Sequence, residues 1–140
     1  MFILDTNVIS ELMKPAPSKA VLTWMALTSS TDIYCTSISQ AEILYGILLL
    51  PAGKRRMNIE TAAQGMFRDD FCGRILPFGS DAAAVFASIA SSRSRAGRPI
   101  SAFDAQIAAI AITAKAVLVT RNVNDFLHCG LNVIDPWTSV

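Results

Sequence analysis

Three acids occupy places from which polar side chains can converge. Asp5 directly follows the apolar run Phe2-Ile3-Leu4, Glu42 lies near the start of one helical segment, and Asp104 lies near the start of another. Asn122 and Asp125 follow a fully apolar stretch, Val117–Val119. In open parallel sheets, sites form beyond the carboxyl ends of the strands, so an acid just after an apolar run is placed for chemistry. Carboxylates gathered there repel: a pair about 5 Å apart costs roughly 3 kcal/mol at an effective dielectric near 20. Such a cluster needs shared protons or a bound cation. Hard oxygen donors suit Mg2+ or Mn2+. Metal-assisted phosphodiester hydrolysis by water then follows, leaving a 5′-phosphate and a 3′-hydroxyl.

Other chemistries lack their parts. Cleavage of RNA without metal normally uses a pair of acid–base groups, most often histidines, and His128 is the one histidine of the chain. Between Leu127 and Cys129 it reads as a loop or packing residue. No phosphate-binding G-x-x-x-x-G-K-[ST] loop, G-x-S-x-G elbow or H-E-x-x-H zinc motif is present.

A stability reading competes for each acid singly. Ser39-Gln40-Ala41-Glu42 and Ser101-Ala102-Phe103-Asp104 both match a helix capping box, and Asn122 to Asp125 resembles one. An acid in the first turn of a helix also gains about 0.3–1 kcal/mol from the helix dipole. Capping does not, however, require three acids to share one end of a sheet.

The elements that would position these residues read in order along the chain. Phe2 to Leu4 is a strand, followed by an amphipathic helix to Lys14 that Pro15 and Pro17 stop, and a second helix over Lys19 to Leu27. Ile33 to Thr36 is a strand, Ser39 opens a helix to about Leu50, and Lys54 to about Phe67 is helical. Arg74 to Phe78 is β-like. Alanine-rich helices cover Asp81 to Ala96 and Phe103 to Ala116, separated by Gly97 and Pro99. The strands Val117–Val119 and Val133-Ile134 flank a turn at Arg121 to Phe126. Strands separated by helices run mostly parallel, so the fold class is α/β, in one domain spanning 1–140.

Twelve Lys and Arg against eleven Asp and Glu give a net charge of +1, so binding to a polyanion must come from local patches. Lys54-Arg55-Arg56 and the set Arg93, Arg95 and Arg98 are such patches, each either an RNA contact or a solvated helix face. Cys35, Cys72 and Cys129 are odd in number and far apart, which fits a reduced cytoplasmic protein without disulfides or a zinc site. No signal peptide or membrane anchor is expected, because Asp5 interrupts the first apolar run and Pro51 closes the one around Ile47 to Leu50. Mean hydropathy is +0.43. The apolar surplus at Gly46 to Leu50 calls for burial in the core or against another chain.

Taken together, Phe2-Ile3-Leu4-Asp5-Thr6-Asn7-Val8-Ile9-Ser10-Glu11 and Ala41-Glu42-Ile43-Leu44-Tyr45-Gly46 resemble the first two motifs of PIN-domain ribonuclease toxins. Asp104 with Ile107 and Ala108-Ala109 resembles the third, and Thr120-Arg121-Asn122 with Asp125-Phe126 the fourth. Val133 to Trp137 is similar to the family's closing strand. Within the family, the chain is most similar to the VapC-type, FitB-like subgroup. The resemblance implies a three-layer fold with a central parallel sheet in the order 3-2-1-4-5, Mg2+ or Mn2+ as cofactor, and RNA cleavage. It also implies a homodimer and a cognate antitoxin, one basic side chain of which would enter the acidic site. Asp5, Glu42 and Asp104 carry over as catalytic metal-site acids, and Thr6 and Thr120 as supporting hydroxyls. Asn122 stands in the catalytic set where close relatives often have Asp. Asp125 then either supplies the missing metal ligand or caps a helix. The alternatives are a PIN-like domain that binds RNA or a partner protein without cutting, and a receiver-like domain, which lacks the required second acid and lysine.

Overall fold

Strand residues alternate between two packed faces, and this alternation builds the molecule. In the computed structural model, which describes residues 1–138, Ile3 and Leu118 point to one side of the sheet and Leu4 and Val119 to the other. All four are fully buried, each contributing about 1.5–3 kcal/mol of apolar transfer.

The strands are β1 (Phe2–Leu4), β2 (Ile33–Thr36), β3 (Ile75–Leu76), β4 (Val117–Val119) and β5 (Val133–Ile134). The helices are α1 (Thr6–Leu12), α2 (Lys19–Leu27), α3 (Ser37–Leu48), α4 (Lys54–Gly65), α5 (Ser80–Arg95) and α6 (Ala102–Thr113). A short 3-10 turn at Val123–Phe126 follows β4. Sheet order is β3-β2-β1-β4-β5, and every pairing is parallel, with Ile3 opposite both Tyr34 and Leu118. The expected α/β class and strand order are therefore present, with no antiparallel member among the described residues.

One core holds Ile3, Leu118, Phe126 and the inner faces of α5 and α6. The other holds Leu4, Val119, Val8, Ile9, Val21, Trp24, Ile43 and Phe67. Helix α6 is buried on nearly every side, from Ala105 through Ala111, because its small residues let it lie close to both the sheet and α5. The chain therefore forms three layers, with the carboxyl ends of β1, β2 and β4 opening toward the same edge.

Helix boundaries depart from the sequence reading by a turn or less, with one consequential case. Helix α3 starts at Ser37, capped by Thr36, whose Oγ1 accepts the Ser39 N–H at 3.1 Å. Ser39 is therefore inside the helix rather than its cap. Helix α1 ends at Leu12, short of Lys14, and the Arg74 to Phe78 stretch yields only the two paired residues of β3. All three cysteines are free. Among the described residues no helix is long and apolar enough to cross a membrane.

Candidate active site

The site grows from the residue after β1. The Asp5 N–H bonds to the Val119 carbonyl at 2.9 Å, extending the β1–β4 ladder by one step, and its side chain then caps α1. Its Oδ1 accepts the Thr6 N–H at 2.8 Å. Its Oδ2 accepts from Thr120 Oγ1 at 2.7 Å and from Asn7 Nδ2 at 3.1 Å. Thr120 Oγ1 also accepts from Asn7 Nδ2 and from the Asn122 N–H, both at 3.1 Å, so its single proton goes to Asp5. Asn7 Oδ1 accepts the Arg121 N–H at 3.1 Å. Asp5 is thereby held by both strands that end at the site, at 3% exposure.

Burial pushes the Asp5 carboxyl up to about 6, helped by the nearby charges of Asp104 and Glu42. The hydrogen bonds from Thr120 and Thr6 oppose this without cancelling it. Glu42 and Asp104 are half-buried and also raised, mainly by burial. Asp104 adds to the rise at Glu42, and Asp125 adds to that at Asp104, where Ser101 and Arg93 pull the other way. Asp5, Glu42, Asp104 and Asp125 thus lie within one another's fields in an unbroken series.

The capping readings divide. Because Thr36 is the cap, Glu42 stands in the second turn of α3, and its Oε1 accepts instead from Thr6 Oγ1 at 2.8 Å. Ser39 Oγ lies 2.9 Å from the same Thr6 oxygen and supplies a proton to it, since the Thr6 proton is committed to the carboxylate. At α6, Ser101 does cap, accepting the Asp104 N–H at 3.1 Å. Asn122 caps the 3-10 turn without a side-chain bond, and its side chain and that of Asp125 are exposed. Replacing Thr6 with Val leaves the Glu42 carboxylate without its donor. We expect a loss of about 1–2 kcal/mol in denaturant unfolding, with no change in the transition's slope.

All donors in the series are oxygens, the set that suits a hard divalent cation. Among the described residues no three Asp, Glu, His or Cys side chains close around a single point, so the acids are coupled through space rather than by contact. Mg2+ is held by one or two carboxylates and keeps several of its waters, so it does not need every acid as a direct ligand.

Two depressions flank the acids. A groove of about 310 Å3 runs from Thr6 and Glu42 past Met13, Gly46 and Ile47 to Leu50. A polar cleft of about 420 Å3 is formed by Arg121, Asn122, Asn124, Asp125 and Asp135, with the Arg121 guanidinium 4.9 Å from the centre of the Trp137 ring. Of the basic patches, Lys54, Arg55, Arg95 and Arg98 are exposed. Arg56 turns inward, its Nη1 donating to the Leu50 carbonyl and its Nε buried without a partner among the described residues. Arg93 is committed to backbone carbonyls. Sequence reasoning missed Asn7, Thr36 and Ser39 as parts of this network. Only Asn7 carried a signal, as the third polar residue directly after β1.

The sequence profile of the PIN domain matches residues 2–128. The protein called VapC ribonuclease Y4jK, from Sinorhizobium fredii, is 37% identical over 137 residues, covering 98% of each chain. Toxin FitB of Neisseria gonorrhoeae is 36% identical over 98% of this chain and 99% of its own. The crystal structure of FitAcB from N. gonorrhoeae matches with a TM-score of 0.91 at 35% identity, over 99% of this chain and 100% of that one. Because the matched span takes in β1, α3, α6 and the turn after β4, the four places that carry Asp5, Glu42, Asp104 and Asn122, the chain belongs to the PIN-domain family.

Proposed function

We propose that this chain is a Mg2+- or Mn2+-dependent endoribonuclease that serves as the toxin of a toxin–antitoxin pair. The observation that carries the reading is Asp5: a buried acid gripped from three sides and raised to about 6 by its surroundings, with Glu42 and Asp104 contributing. A cation would offset that repulsion. Asp5, Glu42 and Asp104 would hold it, with Asp125 or the Asn122 amide oxygen completing the set. A bound ion of this kind lowers the pKa of water and neutralises charge building on the phosphate.

The rest of the site keeps these acids in place. Thr120 and Asn7 orient Asp5, while Thr6 and Ser39 orient Glu42. Of the candidate RNA contacts, Lys54, Arg55, Arg95 and Arg98 are free to meet phosphates, and Arg56 ties down the α3–α4 loop through the Leu50 carbonyl. Replacing Lys54 and Arg55 together with Gln is expected to raise KM for RNA several-fold at unchanged kcat. The dependence of log KM on log salt should weaken by about two contacts' worth.

Tyr45, Leu48, Leu49 and Met57 are 55–67% exposed on α3, α4 and the loop between them, an apolar surface that suits a partner chain. We assign it to homodimer and antitoxin contacts. An antitoxin Arg or Lys reaching the acids would displace the cation. The related N. gonorrhoeae protein is named a toxin, and structures of FitAB and FitAcB are among those this chain matches. Its place of action is the cytoplasm, where its free thiols stay reduced. The reading is tested by incubating purified protein with RNA in Mg2+ or Mn2+, with EDTA, and as Asp104→Ala. Cleavage should need the cation and the acid. Activity indifferent to both would overturn it, and no cleavage by the unaltered protein would leave the non-cutting, RNA- or partner-binding alternative.

A further inference from the structure

Arg93, near the end of α5, makes more polar contacts than any other basic side chain close to the acids. Its Nε donates to the Arg98 carbonyl at 2.7 Å, and its Nη1 donates to the carbonyls of Asp125 at 2.9 Å and Leu127 at 3.1 Å, with Cys129 Sγ at 3.4 Å. In return, the Arg98 N–H bonds to the Arg93 carbonyl at 3.0 Å. These partners belong to two stretches, the α5–α6 connection, and the 3-10 turn Val123–Phe126, capped by Asn122, together with the residues that follow it. The segment beyond that turn passes through left-handed backbone at His128 (φ 61°) and Gly130 (φ 77°). A non-glycine residue in that region is uncommon and persists where its surroundings hold it. Here the carbonyl before His128 and the sulfur after it both meet one guanidinium nitrogen. The same charge faces Asp104, which also feels the charge of Asp125.

We propose that Arg93 is a positioning residue of the acid site rather than an RNA contact: its planar guanidinium locks the turn carrying Asn122 and Asp125 beside Asp104. A carboxylate on that turn and a carboxylate at the start of α6 repel, and the bond from Arg93 to the Asp125 carbonyl holds the turn against that repulsion. A guanidinium supplies several N–H groups in a fixed plane, which a lysine ammonium does not reproduce. The proposal rests on the ribonuclease reading for its kinetic consequence, and on the hydrogen bonds alone for its structural one.

The test compares Arg93→Lys and Arg93→Gln with Arg95→Gln, using RNA cleavage in Mn2+ and amide hydrogen exchange of the full chain. For both Arg93 variants we expect kcat to fall about 10-fold or more, KM for RNA to stay within about two-fold, and the salt dependence of KM to be unchanged. Arg95→Gln should do the opposite, raising KM at constant kcat. Amides of residues 123–130 should exchange faster in both Arg93 variants, while those of β1 and β4 keep their protection. Rescue of kcat by Lys, a rise in KM with a weaker salt dependence, or unchanged exchange at 123–130 would each overturn the proposal. If the unaltered protein cuts no RNA, the ribonuclease reading fails and the exchange experiment still decides the role of Arg93. A variant that unfolds wholly would lose protection in β1 and β4 as well, and that result contradicts a role confined to the turn.

Discussion

Asp5→Asn is expected to reduce kcat/KM for RNA by at least about 10^3-fold, a loss of roughly 4 kcal/mol of transition-state stabilisation. The change is nearly isosteric, yet the side chain has no position for an amide. Oδ1 faces the Thr6 N–H and Oδ2 faces donors from Thr120 and Asn7, so either orientation sets the new NH2 group against a donor. Thr120 cannot turn its hydroxyl to help, because its oxygen already accepts from Asn7 and the Asn122 N–H. The same variant should therefore be less stable by about 1–3 kcal/mol where the wild-type carboxyl is protonated. Cleavage assays under single-turnover conditions, paired with denaturant unfolding, measure both effects.

The second large effect is on stability as a function of pH. Folding raises the Asp5 carboxyl from its ordinary 3.8 to about 6, so the folded chain holds this proton more tightly than the unfolded chain does. The stability associated with the protonated group is present below about 3.8 and is lost as pH rises through about 6. The loss is roughly 3 kcal/mol for Asp5 alone. Glu42 and Asp104 are shifted in the same direction and steepen the slope. A cation binds only the ionised cluster, so Mn2+ should raise Tm at pH 7 and leave it unchanged near pH 4. Thermal unfolding in EDTA and in Mn2+ between pH 4 and 8, with Asp5→Asn as the reference, isolates the effect. In EDTA the advantage of wild type over the variant should shrink as pH increases. A growing advantage would mean that Asp5 is stabilised as an anion.

The architecture was legible because its strands are short apolar runs bracketed by turn residues, and four of them, Phe2–Leu4, Ile33–Thr36, Val117–Val119 and Val133–Ile134, have the bounds read from sequence. The three acids were legible for a related reason, since each follows shortly on the end of a strand or lies in the first turns of a helix. The start of α3 was misread because Thr36 is both a β-branched strand residue and a good cap, while Ser39 and Glu42 mimic a capping box by spacing alone. The side chains of that false box point to Thr6, 33 and 36 residues away in sequence. Asn7 reaches Thr120 across 113 residues, and Arg93 reaches the carbonyls after β4 across 32 and 34. No local pattern encodes those meetings, so Arg93 read as one member of a basic patch. Gly46 to Leu50 called for burial in the core or against another chain, and the single chain buries Ile47 there while leaving Leu48 and Leu49 exposed.

Direct Mn2+ binding to the purified chain at pH 7, by calorimetry, tests the central claim that Asp5, Glu42 and Asp104 serve one cation. Asp5→Asn, Glu42→Gln and Asp104→Asn should each weaken the same binding event about 10-fold or more, with double variants losing less than the sum of the singles. Unaltered Mn2+ affinity in any one of the three, or strictly additive losses, would contradict it.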